Sequence, residues 1–172
     1  GKLYTWGLNT SGQLGDGTLT NKSSPIQIAS TLSFTVASAG IDHAAAVTTD
    51  NKLYVWGNGP SISLYPAAIG QSFVQSWSQI AEGASFMLAI RSDNKLFGWG
   101  SNGFGQLGQN DVITRSSPVI ISGSNSFVSV AAGQSTAYAV RSDNIAFAWG
   151  LGTTGELGDN SSVSKSSPVQ IA

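Results

Sequence analysis

Few residues in this chain could take part in catalysis or hold a metal ion. His43 is the only histidine; it follows Asp42 in the segment GIDHA, and the 172 residues contain no cysteine. A histidine beside a carboxylate is part of a hydrolase triad, but no partnered serine can be recognised. One histidine also falls short of the ligands that a zinc ion requires. We therefore expect no catalytic residue and no metal site, with His43 in a structural role.

The acidic residues are spread along the chain and form no recognisable acid pair. They match no calcium loop, in which aspartates alternate at short spacing before a glycine. The nine acidic residues are Asp16, Asp42, Asp50, Glu82, Asp93, Asp111, Asp143, Glu156 and Asp159. Hydrolysis is therefore the activity that the sequence supports least. We expect the protein to bind no cofactor and not to be an enzyme.

Glycine-rich segments could in principle cradle a phosphate. Such a cradle needs a glycine loop that runs into the N-terminus of a helix, and no helical periodicity follows these segments. We expect them instead to form tight structural turns that place Leu14, Leu107 and Leu157 beneath the loop. The turn glycines, in the segments GQLG and GELG, are Gly12, Gly15, Gly105, Gly108, Gly155 and Gly158.

The composition argues against two classes of partner. Only 10% of the residues are charged, the formal net charge is −1, and no run of lysine or arginine occurs. A nucleic-acid interface would need a basic patch, so no nucleic acid is expected. No apolar run is long enough for a membrane-spanning helix, so no membrane insertion is expected. A nearly neutral surface rich in Gly, Ser, Thr and Asn favours an extracellular, cell-surface or virion setting, where a glycan or a host surface is a candidate partner.

One phrase ending in Trp-Gly occurs four times, at Trp6, Trp56, Trp99 and Trp149, spaced by 50, 43 and 50 residues. Three other parts recur with it: SSP followed by alternating apolar residues, an apolar run that ends in glycine, and a run that ends in Asp-Asn. All four parts are short and rich in β-branched and aromatic residues, which is typical of strands. Asp-Asn suits a tight hairpin turn.

These units predict an all-β protein, a β-propeller of four-stranded antiparallel blades. The whole chain, residues 1–172, is then a single partial propeller with about three and a half blades. We expect a half blade at residues 2–28 and full blades at 34–69, 77–122 and 127–171.

Aromatic residues recur at fixed places in the Trp-Gly phrase, and alternation puts each pair on one face of its strand. An exposed platform for sugars or bases is one interpretation. A feature that every unit shares is better explained by packing of one sheet against the next. We expect a structural repeat core made of Tyr4, Trp6, Tyr54, Trp56, Phe97, Trp99, Phe147 and Trp149.

The combined pattern LYxWGxNxxGQLGxG…SSPxxI…VxxVAAGxxxxxAVxxDN resembles the repeat of the regulator of chromosome condensation family. Kelch repeats carry a glycine doublet and WD repeats carry Gly-His and Trp-Asp, and this chain has neither pattern. The resemblance covers essentially the whole chain. It implies a seven-bladed propeller, of which this chain is a fragment or a partial ring.

The second unit departs from the pattern after Gly57. It reads NGPSISLYPAAIG and lacks the GQLG turn. Either the loop has simply become shorter, or it forms a distinct contact surface. The candidate interaction loop consists of Asn58, Pro60, Tyr65 and Pro66.

A partial ring leaves an apolar blade face and an unpaired strand edge in water. Further blades of a longer chain, a second copy or neighbouring subunits could cover them. We expect a non-enzymatic module for protein interaction or structural assembly, within a longer bacterial surface, secreted or virion protein. The alternatives are a guanine-nucleotide exchange and chromatin-binding factor like the family namesake, or a secreted enzyme inhibitor, since a β-lactamase inhibitor protein also resembles this repeat.

Overall fold

The computed structural model describes residues 1–58, 63–68, 76–121 and 125–171, which contain fourteen β-strands. No helix in this described part is long and apolar enough to span a membrane. The strands are β1 (Leu3–Gly7), β2 (Lys22–Ile28), β3 (Phe34–Ala39), β4 (His43–Thr48), β5 (Leu53–Gly57), β6 (Ser63–Ala68), β7 (Trp77–Glu82), β8 (Phe86–Arg91), β9 (Leu96–Gly100), β10 (Arg115–Ile121), β11 (Phe127–Ala132), β12 (Thr136–Arg141), β13 (Ala146–Gly150) and β14 (Lys165–Gln170).

The strands form one two-stranded sheet and three four-stranded sheets. β1 pairs with β2, and the larger sheets have the orders β3-β4-β5-β6, β7-β8-β9-β10 and β11-β12-β13-β14. Every pairing is antiparallel between neighbours in sequence. The innermost strands β3, β7 and β11 contact one another in succession, as the blades of a propeller do. The predicted all-β propeller architecture is confirmed.

The hairpins repeat the same register from blade to blade. The first residue of β4, β8 and β12 lies opposite the glycine that ends the next strand, as in His43 opposite Gly57 and Thr136 opposite Gly150. The turn between these strands places an asparagine in the left-handed region, with φ of 62° at Asn51, 65° at Asn94 and 67° at Asn144. Asparagine tolerates this conformation better than most residues, which explains the recurring Asp-Asn dipeptide.

Three apolar clusters lie between successive sheets. In each cluster the tryptophan of the Trp-Gly phrase faces the preceding sheet: Trp56 packs on Ile28, and Trp149 packs among Leu107 and Ile121. Each inner strand begins with a phenylalanine or tryptophan. This ring packs edge-on against the aromatic residue two positions before the Trp of the Trp-Gly phrase in the same blade. The ring centroids of Trp77 and Phe97, for example, are 5.3 Å apart. These rings fill the space between blades and bury most of the apolar surface there.

The tryptophans also connect the blades by hydrogen bonds. The Trp56 indole donates to the carbonyl of Gln13 at 2.9 Å, and the Trp149 indole donates to the carbonyl of Gln106 at 2.8 Å. Both acceptors lie in the GQLG turn of the preceding unit. Trp99 follows the unit without that turn, and its buried indole nitrogen finds no acceptor among the residues that the structure describes. The GQLG turn therefore serves the neighbouring blade as well as its own.

The first aromatic pair is not packed in a core within the described part of the chain. Tyr4 is 50% exposed and Trp6 is 60% exposed, whereas Trp56, Trp99 and Trp149 are at most 2% exposed. The reason is the direction of the aromatic face, which always points to the preceding sheet. Among the described residues no sheet precedes β1 and β2. Tyr54, Phe97 and Phe147 are partly or fully buried, in line with the predicted packing role.

Candidate functional site

A group of uncovered apolar side chains lies at the two-stranded sheet. Tyr4, Trp6, Leu8 and Ile41 are each at least half exposed, and all four line one cavity of about 420 Å³. The floor of this cavity comes from Ala39 and other small residues at the end of β3. We call these four residues, together with the adjoining edge of β1, the β1 face. Large exposed apolar patches on soluble proteins mark contact surfaces.

The edge of β1 adds backbone groups to this surface. β5, β9 and β13, which carry the same phrase, each pair on both sides, whereas β1 pairs with β2 alone in the described part of the chain. An unpaired edge offers N–H and C=O groups to an added strand. The cavity lies between this edge and the inner strand β3. The β1 face can therefore accept a β-strand together with its apolar side chains.

The turn glycines all have the conformation that their sequence predicts. The φ angles of Gly12, Gly15, Gly105, Gly108, Gly155 and Gly158 lie between 64° and 84°. At Gly15 a side chain would also meet the Trp56 indole at 2.8 Å. The leucines between the glycines are buried, as expected. The first two of these turns contact the next blade through the Trp56 and Trp149 indoles.

A buried asparagine organises each of two turns, and sequence reasoning gave it no role. Asn102 donates from its amide nitrogen to the carbonyls of Asp111 and Ile113 at 3.1 and 3.2 Å. Its amide oxygen accepts the backbone N–H of Leu107 at 2.8 Å. Asn9 makes the same set of contacts in the first unit, while Gly152 stands at this position in the last. The signal was present in the repeat pattern, since Asn follows Trp-Gly at the same spacing in both units.

A carboxylate supports the same turns. Burial would raise the pKa of Asp16, but hydrogen bonds from Thr18, Lys22 and Asn9 hold it at about 2. Its ion pair with Lys22, at 3.2 Å, recurs as Asp111–Arg115 and Asp159–Lys165. The carboxylates and cations of these turns thus neutralise each other locally.

His43 is buried and held by its neighbour. Its Nδ1 lies 3.1 Å from Oδ1 of Asp42, and Nε2 has no hydrogen-bond partner among the described residues. The ring lies over Gly40, where a side chain would approach within 2.5 Å of the imidazole. No group of three or more histidines and carboxylates that could hold a metal occurs in the described ranges. This packing fits a structural residue.

Only part of the candidate interaction loop lies within the described residues. Asn58 donates to Asp42 Oδ2 at 2.8 Å, and its backbone N–H donates to the carbonyl of Asp42. It therefore fastens the loop to the turn that carries His43. Pro60 lies outside the described residues, and Tyr65 and Pro66 lie on β6, of which only the backbone is described. A contact role for this loop stays a prediction.

One buried carboxylate has no place in the repeat pattern. Glu82 is 8% exposed, and neither of its carboxylate oxygens has a hydrogen-bond partner among the described residues. Burial raises the pKa of Glu82 well above its usual value, and the nearby backbone amide of Gly40 lowers it only in part. The equivalent residues of the other blades, Ala39 and Ala132, are small and apolar. The sequence showed Glu82 only as one of several scattered acids.

Comparison with known proteins agrees with this architecture. The family model for the regulator of chromosome condensation (RCC1) repeat matches residues 1–47 and 93–140, and a second model for the same repeat matches residues 77–106. The ultraviolet-B receptor UVR8 of Arabidopsis thaliana is 36% identical over 87 residues, which cover 49% of this chain and 19% of the receptor.

Two solved structures share the fold over the full length of the chain. Human WBSCR16 has a TM-score of 0.90 at 21% identity, and Prp20p from Saccharomyces cerevisiae has a TM-score of 0.81 at 24% identity. The chain spans 48% of the first structure and 46% of the second. The likeness at this level of identity concerns the fold. The chain is similar to about half of each of these propellers.

Proposed function

This chain belongs to the regulator of chromosome condensation repeat family, and from that premise we propose that it is a non-enzymatic protein-interaction module. Its first task is to join further β-structure at the β1 face, so that a larger propeller is completed. Function in propellers resides in surfaces and loops more than in the fold itself. The observation that carries the proposal is the exposure of Tyr4 and Trp6, whose counterparts in the other units are buried.

The register of the complete blades specifies what the β1 face should accept. In the last blade β12 pairs with β13 so that Thr136 lies opposite Gly150 and Ala137 lies opposite Trp149. With the same pairing on β1, the first two residues of an incoming strand would lie opposite Gly7 and Trp6. Its alternate residues, at the places of Tyr138 and Val140, would then pack against the sheet β3–β6. The occupant of the β1 edge is a strand hairpin of this repeat family, and the blade that precedes it would cover Tyr4 and Trp6. Both would come from further blades of a longer chain, a second copy or a neighbouring subunit.

A peptide with the sequence of residues 127–144, the β11–β12 hairpin, tests this pairing. We expect the labelled peptide to bind the 172-residue chain saturably and to slow amide hydrogen exchange along β1, because it would pair the free strand edge. A matched peptide with Val140→Asp carries a charge toward the apolar sheet and is expected to bind at least about tenfold more weakly. Equal binding of the two peptides, or binding without protection of β1, would contradict the proposal.

The composition bears on the kind of protein that contains this chain, and one of the compared structures bears on the alternative function. Low charge and the absence of cysteine favour a bacterial surface, secreted or virion protein as the larger polypeptide. The solved structure of Prp20p is described together with its binding properties to Gsp1p and histones, which supports nucleotide exchange and chromatin binding as the alternative. Measuring guanine-nucleotide release from Gsp1p in the presence of this chain would separate the two functions.

A further inference from the structure

Glu82 is a buried acid without a partner, and its surroundings indicate what it could bind. It ends β7 and lies opposite Met87 on β8. Because side chains alternate along a strand, Glu82 shares the face of Ile80, which packs toward the sheet β3–β6. The backbone amide of Gly40, which directly follows β3, lowers the pKa of Glu82 in part. Its N–H is already donated to the carbonyl of His43 at 3.0 Å.

Glu82 also lines a cavity of about 520 Å³ at the inner ends of three blades. Small residues make up most of the rest of the described lining, with Gly40, Gly83 and Gly133 each following an inner strand, and Ile41 is its one large apolar side chain. Gln134 is the only other side chain in this lining that carries a hydrogen-bonding group. Glu82 is therefore the one ionisable residue in the described lining of this cavity.

No lysine or arginine of the chain pairs with the Glu82 carboxylate. Leaving a buried charge unpaired is costly, so the group must be protonated or neutralised by a cation from elsewhere. All eight lysines and arginines bind other groups, six of them carboxylates. The pairs are Lys22–Asp16, Lys52–Asp50, Arg91–Asp93, Arg115–Asp111, Arg141–Asp143, Lys165–Asp159, Lys2 with the Ser30 carbonyl and Lys95 with the Asn125 carbonyl.

We propose that the cavity beside Glu82 receives a lysine or arginine side chain of a partner protein, whose cationic group pairs with the Glu82 carboxylate. The charge complementarity is specific to this blade, because Ala39 and Ala132 occupy the equivalent places. A metal ion fits less well, since His43 and Glu82 belong to no cluster of three ligating side chains in the described ranges. The inference rests on the proposed protein-interaction role for the source of the side chain. The cavity adjoins the β1 face, because Ile41 lines both.

The chain contains only two glutamates, Glu82 and Glu156, which makes the test direct. With glutamate labelled by ¹³C at the carboxyl carbon, the full chain gives one signal for each. N-acetyl-arginine amide is the probe, and N-acetyl-citrulline amide is its neutral analogue of nearly the same shape. At neutral pH the arginine probe is expected to move the Glu82 signal toward the ionised position and to saturate. The citrulline analogue should bind at least about tenfold more weakly.

Two variants provide the controls. Glu82→Gln removes the charge with little change in shape and should abolish binding of the arginine probe, while Glu156→Gln should leave it unchanged. Three results overturn the proposal: equal binding of the citrulline analogue, an identical shift produced by Na⁺ or Mg²⁺ alone, or a Glu82 signal that stays protonated at every probe concentration. The labelled wild-type chain gives these readings even if Glu82→Gln does not fold. Peptide binding at the β1 face is independent of all of them, so failure here and failure of the proposed function are distinguishable.

Discussion

Replacement of Trp149 by alanine is expected to lower the free energy of unfolding by about 3–5 kcal/mol. The indole is fully buried between the last two sheets, where Leu107 and Ile121 are among its neighbours. Truncation would leave a large cavity, and the carbonyl of Gln106 would lose the hydrogen bond that it now accepts. Urea denaturation followed by circular dichroism gives the change.

Trp6→Ala is the matched control for this variant, because Trp6 has the same place in the first unit. Its side chain is 60% exposed in a single copy, so at a protein concentration that keeps the chain monomeric the expected loss is below about 1 kcal/mol. The large difference between two identical substitutions at equivalent positions is what the packing account requires. Equal losses would show that burial against a preceding sheet does not decide the role of these rings.

Asn102→Ala is the substitution with the second largest expected effect, a loss of about 3 kcal/mol. The Asn102 side chain is wholly buried and satisfies several backbone groups of one turn. Alanine would leave the N–H of Leu107 without an acceptor, and the carbonyls of Asp111 and Ile113 would lose a donor. Thermal and urea unfolding of the variant measure this loss.

Asn94→Gly is the control for the asparagine substitution. Asn94 lies in an exposed hairpin turn with φ of 65°, a conformation that glycine adopts without strain. Its replacement should change the stability by less than about 1 kcal/mol. If Asn102→Ala proves as mild as this control, the turn is held by the glycines and leucine alone, and the role given to Asn102 is wrong.

The repeating features of the fold could be predicted from the sequence because the same residues occupy the same local position in several units. The Trp-Gly phrase, the Asp-Asn turns and the positive φ at glycines such as Gly105 all recur with their strands. The repeat pattern does not indicate the exposure that Tyr4 and Trp6 have in the described chain. Their residue types match those of Tyr54 and Trp56, and only the presence or absence of a neighbouring sheet separates buried from exposed.

The individual features were harder to predict. An asparagine equivalent to Asn102 occurs in the first unit as Asn9 but not in the last unit. An asparagine in a polar loop does not by itself indicate a buried side chain that binds several backbone groups. Glu82 follows an apolar run, and nothing in the sequence shows that a strand carries its carboxylate between two sheets. The partners of Asn102 lie within its own turn, whereas the environment of Glu82 includes groups distant in the chain, such as the backbone of Gly40.

The mass and shape of the isolated 172-residue chain, from sedimentation equilibrium and small-angle X-ray scattering, test most directly whether the β1 face requires a cover. We predict that the chain forms a defined dimer or larger species, and that the double substitution Tyr4→Ser and Trp6→Ser shifts it toward the monomer. A well-folded, monodisperse wild-type monomer at high concentration would contradict the account.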